Sequence, residues 1–581
     1  MTARRKTQQP HSPRRLYVVM TVLGLCVLAL GWRAVDLHVG QHEYLSRQGD
    51  LRNLRIEPLA AHRGVITDRE GRPLAVSTPV TTLWANPREV LAARETWTRL
   101  RDNPVLNSRT LAARVEPFSN REFIYLARHL APEDAEQVLA LRVPGIYSLT
   151  EYRRYYPAGE VASHLVGFTN IDEVGQEGIE LAMESRLRGQ PGRKKVVRDL
   201  HGRVIQDIEV LQDASPGQDV VLSIDLRLQY LAYRELMSTV TRHRAAGGSA
   251  VVLDARTGEV LAMVNQPGYN PNNRSGVSVA ALRNRAVTDV FEPGSTLKPF
   301  TVAAALESGM VTPTTSIDTR PGTMRVANKT IRDHRNYGVI DVATVLTKSS
   351  NVGTTKLSLA MDDQLLPGFL EQVGLGVRTG VVFPGESVGM LPIRQRWRDI
   401  EKASLSYGYG VSVTALQLAR SYAVMANEGR RLPVTLQRLD AKQIADNERF
   451  AEQVISPGYA RALVDMMETV VSEEGTARRA GVPGYRVAGK TGTVHKLMAT
   501  GYADDRYVAL FAGVAPAEDP RFVTVVVVDD PRGQDYFGGL VAAPAFANIM
   551  AGVLRTLDIE PPEDLLPPAI YAGGRSGEGR I

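Results

Sequence analysis

Cysteine is nearly absent from this sequence: one residue, Cys26, stands among 581. A lone thiol excludes an intrachain disulfide and any metal site built on cysteines. Histidine is sparse as well, at 10 residues, and neither His334 nor His495 has the spacing of a ligand set. No metal and no cofactor is therefore expected. Aromatic residues make up only 6% of the chain. The basic residues, which give a net charge of +6, are spread along it rather than gathered into blocks with aromatics between them. Nucleic acid is set aside as a partner on that ground. The cluster Arg193-Lys194-Lys195 reads as a solvated strand edge.

Long uncharged runs are scarce too, and the one at the start is informative. Leu16 to Trp32 comprises 17 uncharged, mostly apolar residues, preceded by Arg4, Arg5, Lys6, Arg14 and Arg15 with no acid between. That is the lower limit for crossing a bilayer, and Ala34 to Val39 can prolong it while Arg33 snorkels. The reading is a basic cytoplasmic tail (1–15), a single membrane anchor (16–38) and an exported remainder. A cleaved signal peptide, with Ala29-Leu30-Gly31 at the cleavage site, is the competing reading. The length, with 44% hydrophobic and 23% charged residues, calls for at least two further domains.

Asp36 to Arg55 reads as a polar, partly helical connector. Asp68 to Gly71 reads as the turn of a hairpin. From 90 to 215, short helical patterns such as Asn120 to Leu139 alternate with Gly- and Pro-rich breaks and show no catalytic cluster, so residues 39–215 are expected to form an irregular, mixed, non-catalytic module. Ala214-Ser-Pro-Gly217 marks a break. After it come a strand at Val220 to Ile224 and a helix capped by Asp225. Strands are predicted at Gly248 to Asp254 and Glu259 to Gln266, a hairpin around Ala255-Arg-Thr-Gly258, and again at Tyr485 to Val494, Tyr507 to Val514 and Phe522 to Asp529. The stretch between these sets is largely helical, with a clear helix from Val413 to Asn427 ending at Gly429. A sheet assembled from both ends of a domain, with helices inserted between, predicts α+β architecture and a cleft where insert meets sheet. Residues 558–581, rich in Pro, Gly and Arg, read as a flexible tail.

Within that insert lies Phe291-Glu-Pro-Gly-Ser295-Thr-Leu-Lys298-Pro-Phe. A hydroxyl and an amine at i and i+3 share one face of a helix, and the helix N-terminus favours a developing oxyanion. Ser295 thus reads as a nucleophile and Lys298 as its base, provided that burial or a neighbouring cation lowers the lysine pKa. The plainer reading makes Ser295 a cap and Lys298 a solvated first-turn residue. Pro299, whose ring crowds the Ser295 carbonyl in a regular α-turn, predicts a distorted first turn there.

Two further motifs follow in order: Ser349-Ser-Asn351 at a helix connection and Lys490-Thr491-Gly492-Thr493 on a strand. Ser-x-x-Lys, Ser-x-Asn and Lys-Thr-Gly in this order resemble the penicilloyl-serine transferase superfamily of penicillin-binding proteins and serine β-lactamases. The anchor, Arg63-Gly-x-Ile-x-Asp-Arg-x-Gly71, Arg154 to Glu160 and Gly178-Ile-Glu180 resemble the pedestal of a class B penicillin-binding protein. Gly217-Gln-Asp-Val and Ile224-Asp-x-x-Leu-Gln229 resemble the start of its transpeptidase domain, placed at 216–557. Ala75 to Asn86 and Tyr536 to Pro544 resemble the division-specific branch, an elongation-type relative being the alternative.

The resemblance implies a serine D,D-transpeptidase: Ser295 attacks the penultimate D-Ala carbonyl of a peptidoglycan pentapeptide donor strand, and the amine of an acceptor strand resolves the acyl-enzyme. It implies that Lys490 supplies a positive charge for the substrate carboxylate, Ser349 relays a proton, and Asn351 contacts a peptide amide and Lys298. Thr491 and Thr493 are implied as carboxylate contacts, Gly492 as the residue permitting close approach, and the Ser295 and Thr493 amides as the oxyanion hole. β-Lactams are implied as covalent inhibitors, and a membrane-embedded glycan polymerase with other division proteins as partners, at the inner membrane with the catalytic domain periplasmic. A D,D-carboxypeptidase or β-lactamase of the same fold, and a non-catalytic β-lactam sensor or division scaffold, are the competing functions.

Overall fold

The computed structural model describes residues 13–44, 54–198, 204–498, 501–562 and 565. Residues 45–53 of the connector, the N-terminal tail up to residue 12 and most of the segment after 562 lie outside the described residues. Pro13–Val35 is an α-helix continued by a π-helical turn, Asp36–Gly40, and its apolar side chains are exposed along its length. The stretch Arg14–Gly40 is long and apolar enough to cross a membrane. Arg33 does not stand alone at its end, since Nη1 pairs with Asp36 Oδ2 at 2.6 Å.

The chain divides into two compact units, each drawn from separate segments: Met1–Ala61, Thr81–Glu151 and Gln190–Ser215 in one, and His62–Val80, Tyr152–Gly189 and Pro216–Ile581 in the other. In the first unit, Gly192–Arg198 is the middle strand of a three-stranded antiparallel sheet between Leu54–Leu59 and Val204–Gln212. Arg193 to Lys195 is therefore not a sheet edge; alternation along a paired strand, rather than an open ladder, sets the exposure of these side chains. Asn120 to Leu139 is likewise not one helical segment. Ile124–Leu130 is a strand, and the helix begins only at Pro132, the favoured first helical position.

The second unit carries the mixed architecture. Its central sheet contains β1 (Gly247–Asp254), β2 (Val260–Gln266), β3 (Ala488–Met498), β4 (Gly501–Ala515) and β5 (Phe522–Asp529), in the order β2-β1-β5-β4-β3 with every neighbour antiparallel. The run Val525 to Val528 shows why an antiparallel strand can be apolar throughout. Val525 and Val527 join a core on one face with the helical insert, whereas Val526 and Val528 join a second core on the other. Both faces are covered, so period-2 alternation between apolar and polar has no reason to appear. The second core is roofed by α1 (Leu226–Arg242, capped by Asp225, whose side chain accepts from Arg227 N) and α6 (Gly538–Thr556). α6 is as long as a membrane span, but most of it is buried against the sheet. No turn chemistry announced it in the sequence.

The insert supplies α2 (Lys298–Glu307), α3 (Asn351–Ala360), α4 (Ala415–Ala426) and α5 (Pro457–Val471). α4 falls within two residues of its expected limits. Thr414 caps it by accepting from Gln417 N while Gln417 reaches back to Thr414 N. The expected strand at Val220 to Ile224 shrinks to Val220–Val221, which pairs in parallel with Ile66–Thr67. The hairpin at Asp68 to Gly71 is present: Ile66 opposes Ala75, and Asp68 Oδ1 accepts from the amides of Glu70 and Arg72.

Candidate active site

Ser295 sits in a single 3-10 turn, Gly294–Leu297, that passes directly into α2. The distortion expected from Pro299 is there, with Pro299 in the first turn of the α-helix, where no amide donor is needed. Three contacts fix the turn. Gly294 N donates to Gly408 O at 3.1 Å, Phe291 and Val413 exchange backbone bonds at 3.0 and 2.9 Å, and the buried Tyr422 hydroxyl on α4 donates to Thr296 O at 2.8 Å. Gly408, at φ +87°, is required here, because a Cβ would lie 2.1 Å from Gly294 O.

Lys298 is completely buried. Its Nζ donates to Ser349 O at 2.6 Å and to Asn351 Oδ1 at 2.7 Å, and lies 3.1 Å from Ser349 Oγ. Burial first, then the charge of Lys490, hold its pKa well below the ordinary lysine value, against an opposing pull from Asp333. In the neutral amine, two N–H groups satisfy the carbonyl and amide oxygens, and the lone pair is left for a hydroxyl. The geometry therefore accommodates a base.

Ser349 adopts a left-handed backbone conformation, φ +57°, uncommon for serine and enriched where strain serves a site. The next residue begins α3: Ser350 Oγ accepts from Gly353 N at 2.8 Å. Asp333 clamps this start, accepting from Ser350 Oγ and Asn351 N, both at 2.6 Å, and from Val352 N at 3.0 Å. Asn351 Nδ2 donates to Arg332 O at 2.9 Å, which orients its Oδ1 toward Lys298. Asp333 belongs to no motif in the sequence. Only the folded chain shows that it builds the Ser349–Asn351 corner.

Lys490 lies on β3, the terminal strand of the sheet, and is also fully buried. Its Nζ has no hydrogen-bond partner among the described residues, and burial draws its pKa down to about 7. Thr491 and Thr493 face away from it along the strand. The Thr491 hydroxyl is 3.0 Å from that of Thr476, and Thr493 Oγ1 accepts from Gly538 N at 2.9 Å. At Gly492 a Cβ would meet Leu510 Cγ at 2.7 Å and Pro293 O at 3.0 Å, so glycine lets the strand approach the serine turn.

One cleft of about 1290 Å³ gathers Ser295, Ser349, Asn351, Thr491 and Thr493 on its walls, together with His334, Thr476 and His495. Lys298, Lys490 and Gly492 are not among its lining residues. His495 is satisfied, with Nδ1 2.9 Å from Ala503 O. No group of residues suited to a metal occurs among the described residues. Tyr407, Tyr409 and Gly410 line the cleft while also forming a turn, and Gly410 N donates to Glu292 Oε1 at 2.7 Å.

Known proteins similar to this chain are numerous. Residues 248–551 match the model of the penicillin-binding protein transpeptidase domain, and residues 58–222 match that of the penicillin-binding protein dimerisation domain. The chain is 44% identical over 568 residues to the peptidoglycan D,D-transpeptidase FtsI of Escherichia coli (strain K12), covering 96% of this chain and 95% of that one. The transpeptidase domain of penicillin-binding protein 3 from Burkholderia pseudomallei is 41% identical and superposes with a TM-score of 0.54 over 60% of this chain and 98% of that one. Penicillin-binding protein 3 from Mycobacterium tuberculosis, solved in complex with aztreonam, is 28% identical, with a TM-score of 0.67 over 89% of this chain and all of that one.

Proposed function

Since this chain belongs to the penicillin-binding proteins, in their class B, division-type branch, we propose that it cross-links peptidoglycan stem peptides at the septum as a serine D,D-transpeptidase, with Ser295 as its nucleophile. The single observation that carries the residue assignment is the buried Lys298 amine, bonded to Ser349 and Asn351 beneath the turn that presents Ser295. Neutral Lys298 accepts the Ser295 proton as Oγ bonds to the penultimate D-Ala carbonyl carbon. The tetrahedral oxyanion is met by the Ser295 and Thr493 amides. Collapse breaks the peptide bond, and the proton returns through Ser349 to the departing D-Ala amine. An acceptor-strand amine then attacks the ester, restoring the serine.

Lys490 supplies positive charge beneath the strand, and the Thr491 and Thr493 hydroxyls reach the terminal carboxylate. Thr493 already accepts one bond, so its own proton is free to donate. The outer edge of β3 takes the extended peptide as an added strand. A β-lactam follows the same path and stops at the ester. We assign residues 216–557 to this activity and 39–215 to a non-catalytic pedestal that docks a glycan polymerase and other division proteins. Residues 16–38 anchor the chain in the inner membrane, with residues 1–15 cytoplasmic and the catalytic domain periplasmic.

The test is the mass of the intact protein after exposure to benzylpenicillin: one drug equivalent is expected, on the peptide that contains Ser295. Rapid release of hydrolysed drug would instead make the protein a β-lactamase. Depleted cells should elongate without dividing; rounded cells would point to the elongation role.

The rate of acylation should also be bell-shaped in pH. It rises as Lys298 loses its proton, at a pH below the ordinary lysine value, and falls as Lys490 loses its charge near its pKa of about 7. A penicillin ester, lacking the carboxylate, should keep the rise and lose the fall. A flat profile for both compounds would remove the two lysines from their roles.

Gly408→Ala should slow acylation by about 10- to 100-fold without unfolding the protein, because the new Cβ displaces the Gly294 backbone and with it the serine. Stopped-flow acylation together with circular dichroism decides this; an unchanged rate would mean that the turn is not held by this contact.

A further inference from the structure

A second cavity, of about 490 Å³, opens in the same unit and shares no lining residue with the cleft. Its walls include Arg378, Arg420, Arg431, Val377, Pro433 and Phe450. Arg420 stands on α4 and is 6% exposed. Its Nη1 donates to Arg378 O at 2.8 Å, and its buried Nε has no partner. No carboxylate among the described residues lies within ion-pair distance of it. Its neighbour Arg431 already has an acidic partner in Glu452 and donates to Gln372 O at 2.6 Å. The Glu386 carboxylate is engaged by the Thr379 amide and hydroxyl, at 2.7 and 2.6 Å.

The seat of Arg420 is shaped for it. Gly374 lies against the guanidinium at φ +103°, and a Cβ there would be 2.3 Å from Nη2. A guanidinium buried in this way with no carboxylate in contact among the described residues is costly. The exposed Arg378 stands at the same cavity, so two guanidiniums lack an acidic partner where Arg431 has one. Glu371 and Glu452 also line the cavity, and Glu386 acts on Arg420 from nearby, yet none of the three carboxylates forms an ion pair with Arg420 or Arg378. The apolar lip of Val377, Pro433 and Phe450, the last 71% exposed, fits a ligand with a hydrophobic body.

We propose that this cavity binds a monocarboxylate with an apolar substituent, its carboxylate held by Arg420 and Arg378. The burial of Arg420, aided by the charge of Arg431 and opposed by Glu386 and Glu452, lowers its pKa to about 10. The site stands independently of the reading given to the cleft.

The test uses the full-length protein in detergent with the cleft first blocked by benzylpenicillin, so that Lys490 cannot contribute. Phenylacetate is titrated calorimetrically, with phenylacetamide as the neutral control and inorganic phosphate as the second anion. Saturable binding of phenylacetate with a Kd on the order of 1 mM or tighter is expected. The neutral amide should not bind, and Arg378→Gln, an exposed substitution compatible with folding, should weaken binding by about tenfold. Failure of phenylacetate to bind, equal binding of the amide, or indifference to Arg378→Gln would overturn the proposal. Binding of phosphate in place of phenylacetate would overturn the carboxylate assignment.

Discussion

Ser295→Ala protein exposed to a β-lactam is expected to gain no mass, a loss of acylation of at least about 10⁴-fold. This result is not trivial, because the cleft holds a second serine in contact with the proposed base. Ser349 Oγ lies 3.1 Å from Lys298 Nζ and lines the same wall. The proposed assignment separates the two by their surroundings. Ser295 precedes α2, whose N-terminus favours the oxyanion, and its turn is clamped at Gly294, Phe291 and Thr296. Ser349 has its carbonyl and hydroxyl both tied to Lys298, which suits it to passing a proton. Ser349→Ala should therefore slow acylation by about 10²- to 10³-fold yet leave the adduct on Ser295. Peptide mapping of both variants decides it. An adduct on Ser349 in the Ser295→Ala protein, or complementation of a cell lacking the normal copy by that variant, would end the assignment.

Glu180→Ala is expected to destabilise the unit that contains it by about 3–5 kcal/mol. Glu180 is fully buried between two guanidiniums. Its Oε2 is 2.8 Å from Arg63 Nε and 2.7 Å from Arg63 Nη2, and its Oε1 is 2.6 Å from Arg154 Nε. Arg63 Nη1 also meets Glu184 Oε2 at 2.7 Å, and Arg154 Nη1 donates to Ser77 Oγ at 3.2 Å. Burial opposes the charge on Arg63, but Glu180 and Glu184 outweigh it and raise its pKa. Without Glu180, Arg154 keeps no carboxylate in contact while remaining buried, and the desolvation cost of its charge stays unrecovered. Glu180→Gln keeps the shape and loses the charge, so a smaller loss is expected. Urea unfolding, with penicillin binding as the measure of folded protein, reads both. A midpoint unchanged in Glu180→Ala would show that water or local rearrangement satisfies the two arginines.

Read along the chain, the motifs marked the proposed site because their spacing is local. Ser295 and Lys298 fall on one turn and Pro299 forecast its distortion, both from neighbours within a few residues. The anchor and the buried strands were legible for the same reason, since composition over a short window fixes what a segment can bury. Other features depended on partners remote in sequence. The middle position of Gly192–Arg198 requires two other strands to be in place, and the burial of α6 requires the sheet it covers. Asp333 and Tyr422 carry no local signature, yet they hold the two corners of the cleft through bonds spanning from 17 to 126 residues. The sequence by itself determined which groups could react. Tertiary structure alone decided that Lys298 and Lys490 lie out of water near one another, and desolvation at that depth is what draws both pKa values below the ordinary lysine range, as the proposed base and charge require.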